Sequence, residues 1–276
     1  MAESAARVTT VIDVLIAYTS TSGTTAKVSE AIVEGLESAG ANATAIRIDR
    51  LAMMPSRIAS ADVLGIGAPV YFLREPSYVS RFIADLPPLG GRRGFIFCCA
   101  GMNRVGESLY RLHDSLVDRE LTVVGAEWFP TAMSYPPYRS QGLGNREEKP
   151  DDEVLAAARA YGVRLASASE LGPVTLPNVG VATRFKARLL AQEGFRRMLL
   201  PGIRLNTNLC TGYGSCISRC PFEALDRDED EDTIPTVGDE CIRCLQCIDS
   251  CPRAAIEVDS PFKARLGALL YRLGIH

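Results

Sequence analysis

Histidine is nearly absent from this chain of 276 residues: His113 and His276 are the only two. Neither has a triad or metal partner in a recognisable pattern, which sets hydrolytic chemistry aside. No apolar run approaches the roughly 18 residues of a membrane helix, and Asp13 interrupts the best of them, Val8–Tyr18. The N-terminus lacks a basic stretch followed by an apolar one, so no secretory leader is expected and the chain is read as cytoplasmic. Charge of one sign is also missing. Thirty Lys and Arg against 33 Asp and Glu give −3, which argues for neither nucleic acid nor strong repulsion from any partner. There is no Gly-x-Gly-x-x-Gly. Gly65-Ile-Gly67 lacks the third glycine and the helix start that a dinucleotide site requires.

Cysteine is what the chain has in quantity, with seven of nine lying between 210 and 251. Cys241-Ile-Arg-Cys244-Leu-Gln-Cys247-Ile-Asp-Ser-Cys251-Pro252 is a complete C-x2-C-x2-C-x3-C-P run. Cys210-Thr-Gly-Tyr213-Gly-Ser-Cys216-Ile-Ser-Arg-Cys220-Pro221 repeats it, so positions 210, 213, 216 and 220 align with 241, 244, 247 and 251. Thiolates are the preferred ligands of iron–sulfur cubanes, and x2 spacing lets three cysteines wrap one face of a cluster. Zinc sites usually take four ligands as two separated pairs, and disulfides belong to secreted chains, so both fit this pattern poorly.

The doubled motif resembles the bacterial two-cluster ferredoxins over roughly residues 203–258. That resemblance implies one cluster, of 4Fe–4S type, on Cys241, Cys244 and Cys247 with Cys220 as its fourth ligand. It implies a second on Cys210, Cys216 and Cys251, of 3Fe–4S or 4Fe–4S type, because Tyr213 stands where the family has cysteine.

Strand-like and helix-like stretches alternate over the first 170 residues and predict an α/β fold with a parallel sheet covered on both faces. Strands are expected at Val11–Ala17, Ala43–Ile48, Asp62–Ala68, Gly94–Cys99 and Leu121–Phe129. Helices are expected at Ala26–Ala39, from Pro76 through Leu86, at Val105–Arg119 and at Asp151–Ser169. Three loops at strand carboxyl ends carry the site candidates, where such sheets bind ligands. The first, Ser20-Thr21-Ser22-Gly23-Thr24-Thr25, resembles the phosphate loop of flavodoxins, with hydroxyls and N–H groups at a helix start; a Cβ at Gly23 is expected to crowd the phosphate. The second, Pro69-Val70-Tyr71-Phe72, and the third, Cys99-Ala100-Gly101-Met102, stand where flavodoxins place their flavin loops. The resemblance covers residues 8–170 and implies a flavodoxin-like doubly wound five-stranded sheet holding FMN. Cys98 and Cys99 read either as thiols beside the flavin or as small residues filling a buried strand.

The expected organisation is a flavodoxin-like unit over 1–171, a linker with a basic amphipathic helix over 172–203, a small α+β ferredoxin unit over 204–259 and an amphipathic tail over 260–276. Residues 130–150 form a long Pro/Gly-rich insertion whose tyrosines either cap the flavin or face solvent. Phe185-Lys-Ala-Arg-Leu189 recurs as Phe262-Lys-Ala-Arg-Leu266. Such helices either pack over the domain that they flank or lie on anionic membranes or partners. The acidic run Asp226–Asp232 is read as a solvated turn.

Together the halves resemble flavodoxin–ferredoxin fusion proteins, which implies electron transfer between FMN and two clusters on one chain. The implied partner is a redox protein or low-potential donor. A flavin-dependent reductase of a quinone-like molecule or metal centre, fed through the clusters, and a redox sensor are the alternatives.

Overall fold

The structure, a computed structural model, describes residues 11–101, 105–143, 149–168, 170–176, 180–220, 222–227 and 234–272. Strands β1 (Asp13–Tyr18), β2 (Asn42–Arg47), β3 (Val63–Pro69), β4 (Arg93–Ala100) and β5 (Thr122–Pro130) form one parallel sheet in the order β2-β1-β3-β4-β5. Between them run α1 (Thr24–Ser38), α2 (Ile48–Leu51), α3 (Pro55–Ser60), α4 (Ser77–Asp85) and α5 (Ser108–Val117), followed by α6 (Pro136–Arg139) and α7 (Asp152–Leu165). Side chains alternate along each strand, so β1 divides its residues between two apolar layers. Val14 and Ile16 meet Val28, Ile32 and Leu36 of α1 and Ala158, Tyr161 and Leu165 of α7. Leu15 and Ala17 meet Val79 and Ile83 of α4 and Leu112 and Leu116 of α5. Each fully buried Leu or Ile contributes about 1.5–3 kcal/mol over the exposed state.

Two glycines of β3 are set by this packing. A Cβ at Gly65 would stand 2.3 Å from Phe95 Cζ, and one at Gly67 2.2 Å from Phe97 Cζ. The register pairs Gly65 with Phe95 and Gly67 with Phe97, so the glycines make room for rings from β4.

Element boundaries move by one to four residues from expectation, the largest at the end of α7, and some moves matter. Helix α1 starts at Thr24 rather than Ala26, which places Thr24 and Thr25 in its first turn. The helix expected from Val105 starts only at Ser108, after the left-handed Gly106 with φ +61°. The 130–150 insertion holds the short α6; residues 144–148 lie outside the described residues.

The second part contains α8 (Val181–Ala191), α9 (Glu193–Leu199), β6 (Ile203–Leu205), α10 (Ser215–Ser218), β7 (Leu225–Asp226), β8 (Thr236–Val237), α11 (Gln246–Ser250), β9 (Ile256–Val258) and α12 (Pro261–Arg272). The basic amphipathic helix expected within the 172–203 linker is broken at Gln192 into α8 and α9. β6 pairs with β9 and β7 with β8, both antiparallel. The duplication is written into the backbone: Gly212, Gly214 and Glu223 have φ of 66°, 77° and 51°, and their counterparts Arg243, Leu245 and Ala254 have 61°, 61° and 49°. Left-handed backbone is costly for non-glycine residues and persists where the surroundings demand it. Among the described residues, no helix is long and apolar enough to cross a membrane.

Candidate functional site

The first loop leaves β1 and enters α1 through Gly23, whose φ of +84° makes it a left-handed N-cap with no side-chain cap bond. No protein atom lies within 4 Å of a Cβ built there, so among protein contacts the demand for glycine comes from φ and not from crowding. The α1 start is therefore an uncapped row of N–H donors with positive potential. Ser20 Oγ is buried without a hydrogen-bond partner, and Thr25 Oγ1 has only the weak Cys99 thiol beside it. Buried hydroxyls are normally satisfied, so this pair fits a phosphate group as their acceptor. Arg47 Nη1 donates to the Ser20 carbonyl at 3.1 Å and fixes the loop from outside. Ser22 Oγ and Thr24 Oγ1 stand 3.2 Å apart at the exposed rim.

The second loop closes over the first. Val70 N donates to Cys99 O at 2.9 Å, and Tyr71 and Arg74 exchange backbone bonds of 2.7 and 3.0 Å. This narrow turn forces Phe72 and Leu73 to φ of 50° and 69°. Tyr71 OH and Thr21 Oγ1 are 2.8 Å apart, and the Tyr78 hydroxyl bonds the Thr19 hydroxyl. Burial pushes the Tyr71 phenol well up, and nearby Cys244 and Cys220 add to the shift; burial likewise takes Tyr78 to about 12.

In the third loop, Ala100 ends β4 and accepts from Thr131 N at 3.0 Å, and Gly101 lies against the backbone of Met133. Met102 lies outside the described residues. The Cys99 side chain points into the α1–α7 layer and Cys98 into the opposite one. Burial pushes Cys99 up to about 12 and Cys98 well above the usual thiol range. Both thiols are core residues held neutral.

The other seven thiols fall into two neighbourhoods. Cys244 has Cys247, Cys220 and Cys241 as neighbouring thiols, whereas Cys216 has Cys251 and Cys210. Among the described residues, no three of them close on a point that would hold a single ion. Burial raises Cys244 strongly, Cys247 to about 12, and Cys216 by less, so these three are protonated when unligated; iron would supply the positive charge that makes them thiolates. Ala224 N donates to Cys220 Sγ at 3.3 Å and Ala255 N to Cys251 Sγ at 3.2 Å, matched bonds at matched positions of the repeat. Such bonds to sulfur fit a cluster ligand. Cys210, Cys216 and Cys251 line one small cavity together with Tyr213, whose side chain is 76% exposed.

The residues that sequence reasoning missed lie where these two centres meet. Phe222, two residues past Cys220, packs edge-on against Tyr71 at 5.7 Å and Tyr78 at 6.5 Å. Glu223 pairs with Arg81 at 2.7 Å, and Arg139 of α6 with Asp249 of α11 at 2.6 Å. Buried Gln246 donates to Ser134 O at 2.8 Å. Tyr135 stands edge-on to Phe72 at 6.0 Å and near Cys244, which brings one tyrosine of the insertion onto the second loop. The available signal for Phe222 was the contrast with its counterpart in the repeat, Arg253.

Residues 15–139 match the flavodoxin domain, and residues 202–252 match the 4Fe-4S dicluster domain. One component of the Na(+)-translocating ferredoxin:NAD(+) oxidoreductase complex of Acetobacterium woodii is 41% identical over 46 residues, which span 16% of this chain and 13% of that protein. Among solved structures, a flavodoxin from the domain Archaea aligns at 18% identity over 58% of this chain and 99% of its own, with a TM-score of 0.45. The two-electron reduced flavodoxin of Megasphaera elsdenii aligns at 23% identity over 56% and 99%, with a TM-score of 0.42.

Proposed function

We propose that this chain, which joins an N-terminal flavodoxin domain to a C-terminal 4Fe-4S dicluster domain, is an intramolecular electron relay. One observation carries the reading: Tyr71 of the flavin loop packs on Phe222 and lies beside Cys244 and Cys220. When bound, FMN exchanges one or two electrons and each cluster one, which links two-electron and one-electron carriers. The protein supplies position and shielding. Ser20, Thr25 and the α1 N–H groups hold the phosphate; Tyr71, Phe72 and Tyr135 exclude water from the junction. Cys220, Cys241, Cys244 and Cys247 would hold an inner 4Fe–4S cluster, with Cys244 on the side of Tyr71 and Tyr135. Cys210, Cys216 and Cys251 hold the outer cluster, beside exposed Tyr213. The order is therefore flavin, inner cluster, outer cluster. The Acetobacterium similarity spans too little of either protein to extend this to its substrates.

The test is stopped-flow reduction of the FMN in the holoprotein. Cluster reduction should follow with a first-order rate that is the same at every protein concentration. A rate that scales with concentration means transfer between molecules, and the relay reading fails.

The outer cluster is of 3Fe–4S type in this reading. A phenol titrates near 10 against about 8.5 for a thiol, and the Tyr213 ring is turned to solvent. Oxidised, anaerobically purified protein should give a 3Fe–4S EPR signal that Tyr213→Cys removes. Two 4Fe–4S clusters in both proteins would show that a fourth ligand completes the site.

A further inference from the structure

The basic helices end up neither where the core would want them nor in scattered isolation. Residues 181–199 carry five Lys and Arg against one Glu, and residues 261–272 carry three against none. Those segments hold +4 and +3 in a chain of net −3, so the remainder carries −10. The same 31 residues contain seven of the sixteen exposed large apolar side chains among the described residues. Phe185 is 63% exposed and Phe262 73%, and they are the two exposed phenylalanines of that set, at matching positions of the repeated Phe-Lys-Ala-Arg-Leu.

Among the described side chains of these helices, the fully buried ones are small: Ala187 and Ala268. On α12 the exposed positions Phe262, Arg265, Leu266 and Leu269 are spaced three and four apart and form one stripe. Lys263 Nζ donates to Arg197 O at 2.7 Å, which joins the first turn of α12 to the end of α9, where Met198 and Leu199 are exposed. The α9 end and the start of α12 thus adjoin, and α8, which packs with α9, adds exposed Val181, Arg184, Phe185 and Arg188.

We infer that this face docks the protein onto an anionic lipid bilayer, with α12 lying in the interface plane. Basic side chains around bulky apolar ones are the pattern of interfacial helices. Each Lys or Arg near an anionic surface adds about 1 kcal/mol, roughly a fivefold gain in partition. Long basic side chains keep their charge in the headgroup layer while the rings enter the acyl boundary. A helix that offers Phe262, Leu266 and Leu269 on one exposed stripe suits a planar, yielding partner. The strongly acidic remainder of the chain would be repelled by the same surface and so orients the molecule.

The test is flotation of the holoprotein with vesicles of phosphatidylcholine alone and with about 30% phosphatidylglycerol. Partition should be at least about tenfold stronger on the anionic vesicles and fall steeply as salt shortens the screening length. A Phe185→Ser, Phe262→Ser double variant should lose about tenfold or more, with flavin content, iron content and internal electron transfer unchanged. Equal binding to both vesicle types, or none to either, overturns the proposal. Self-association that the double variant abolishes, without vesicle binding, would give this face to a second copy of the chain instead.

Discussion

Gly23→Val should purify with less than about a tenth of the wild-type flavin. Left-handed backbone costs an L-residue about 1–2 kcal/mol, and a β-branched one more. Valine at φ +84° therefore pulls the loop towards ordinary φ and turns the α1 N–H row away from the Ser20 and Thr25 hydroxyls. Its methyl groups also project into the open space beside the loop. Gly23→Asn separates the two causes, because asparagine tolerates left-handed backbone. If conformation dominates, the asparagine variant retains much of its flavin; if the ligand needs the space itself, both variants are empty. The flavin-to-protein absorbance ratio after gel filtration reads this directly. Full flavin in the valine variant would remove this loop from the site.

The second large effect is an asymmetry between cysteine substitutions at the two ends of the repeat. The double variant Cys244→Ser, Cys247→Ser, which leaves the inner site two thiols, should cost the inner cluster and leave the outer cluster without its route to the flavin, so that reduced FMN persists although iron remains. Cys251→Ser should cost the outer cluster, while FMN and the inner cluster still exchange electrons at the wild-type rate. Each variant should lose about half of the iron. The cause is position: Cys244 stands beside Tyr71 and Tyr135, whereas Cys251 sits with Cys216 and Cys210 round the cavity that Tyr213 lines. Rapid-mixing optical traces of the two variants check it. Equal loss of internal transfer in both would contradict the order flavin, inner, outer.

What the sequence made legible follows from how local each signal is. The five strands were readable because β-branched runs bounded by turn residues are local events, and their parallel arrangement follows from the helices between them. Boundaries slipped where tertiary contacts decide them: Thr24 and Thr25 join α1 because the left-handed Gly23, and no side chain, caps it. The short α2 and α3 were not visible, since neither is long enough to show a period. The repeat made the cysteines conspicuous at once. Their distance from the flavin loops was not legible, because nothing local couples Tyr71 to Phe222, which lie about 150 positions apart in the chain. The insertion read equally well as solvent loop or lid until Tyr135 was seen edge-on to Phe72.

A duplicated ferredoxin begins life with two equivalent ends, and docking one of them abolishes that equivalence. Beyond Cys220 the chain runs into Phe222 and Glu223, clasped by Tyr71, Tyr78 and Arg81; beyond Cys251 the matching positions are the exposed Arg253 and Ala254. The backbone has kept its mirror, with φ of 51° at Glu223 and 49° at Ala254, while the side chains have parted company. Position 222 is answerable to a neighbouring domain and tolerates little besides a ring of that size. Position 253 is exposed and lines the cavity shared by Cys210, Cys216 and Cys251. If the proposed relay operates, one repeated sequence serves as a socket at one end and a terminal at the other, and a current through it has a direction that a symmetric pair would not give.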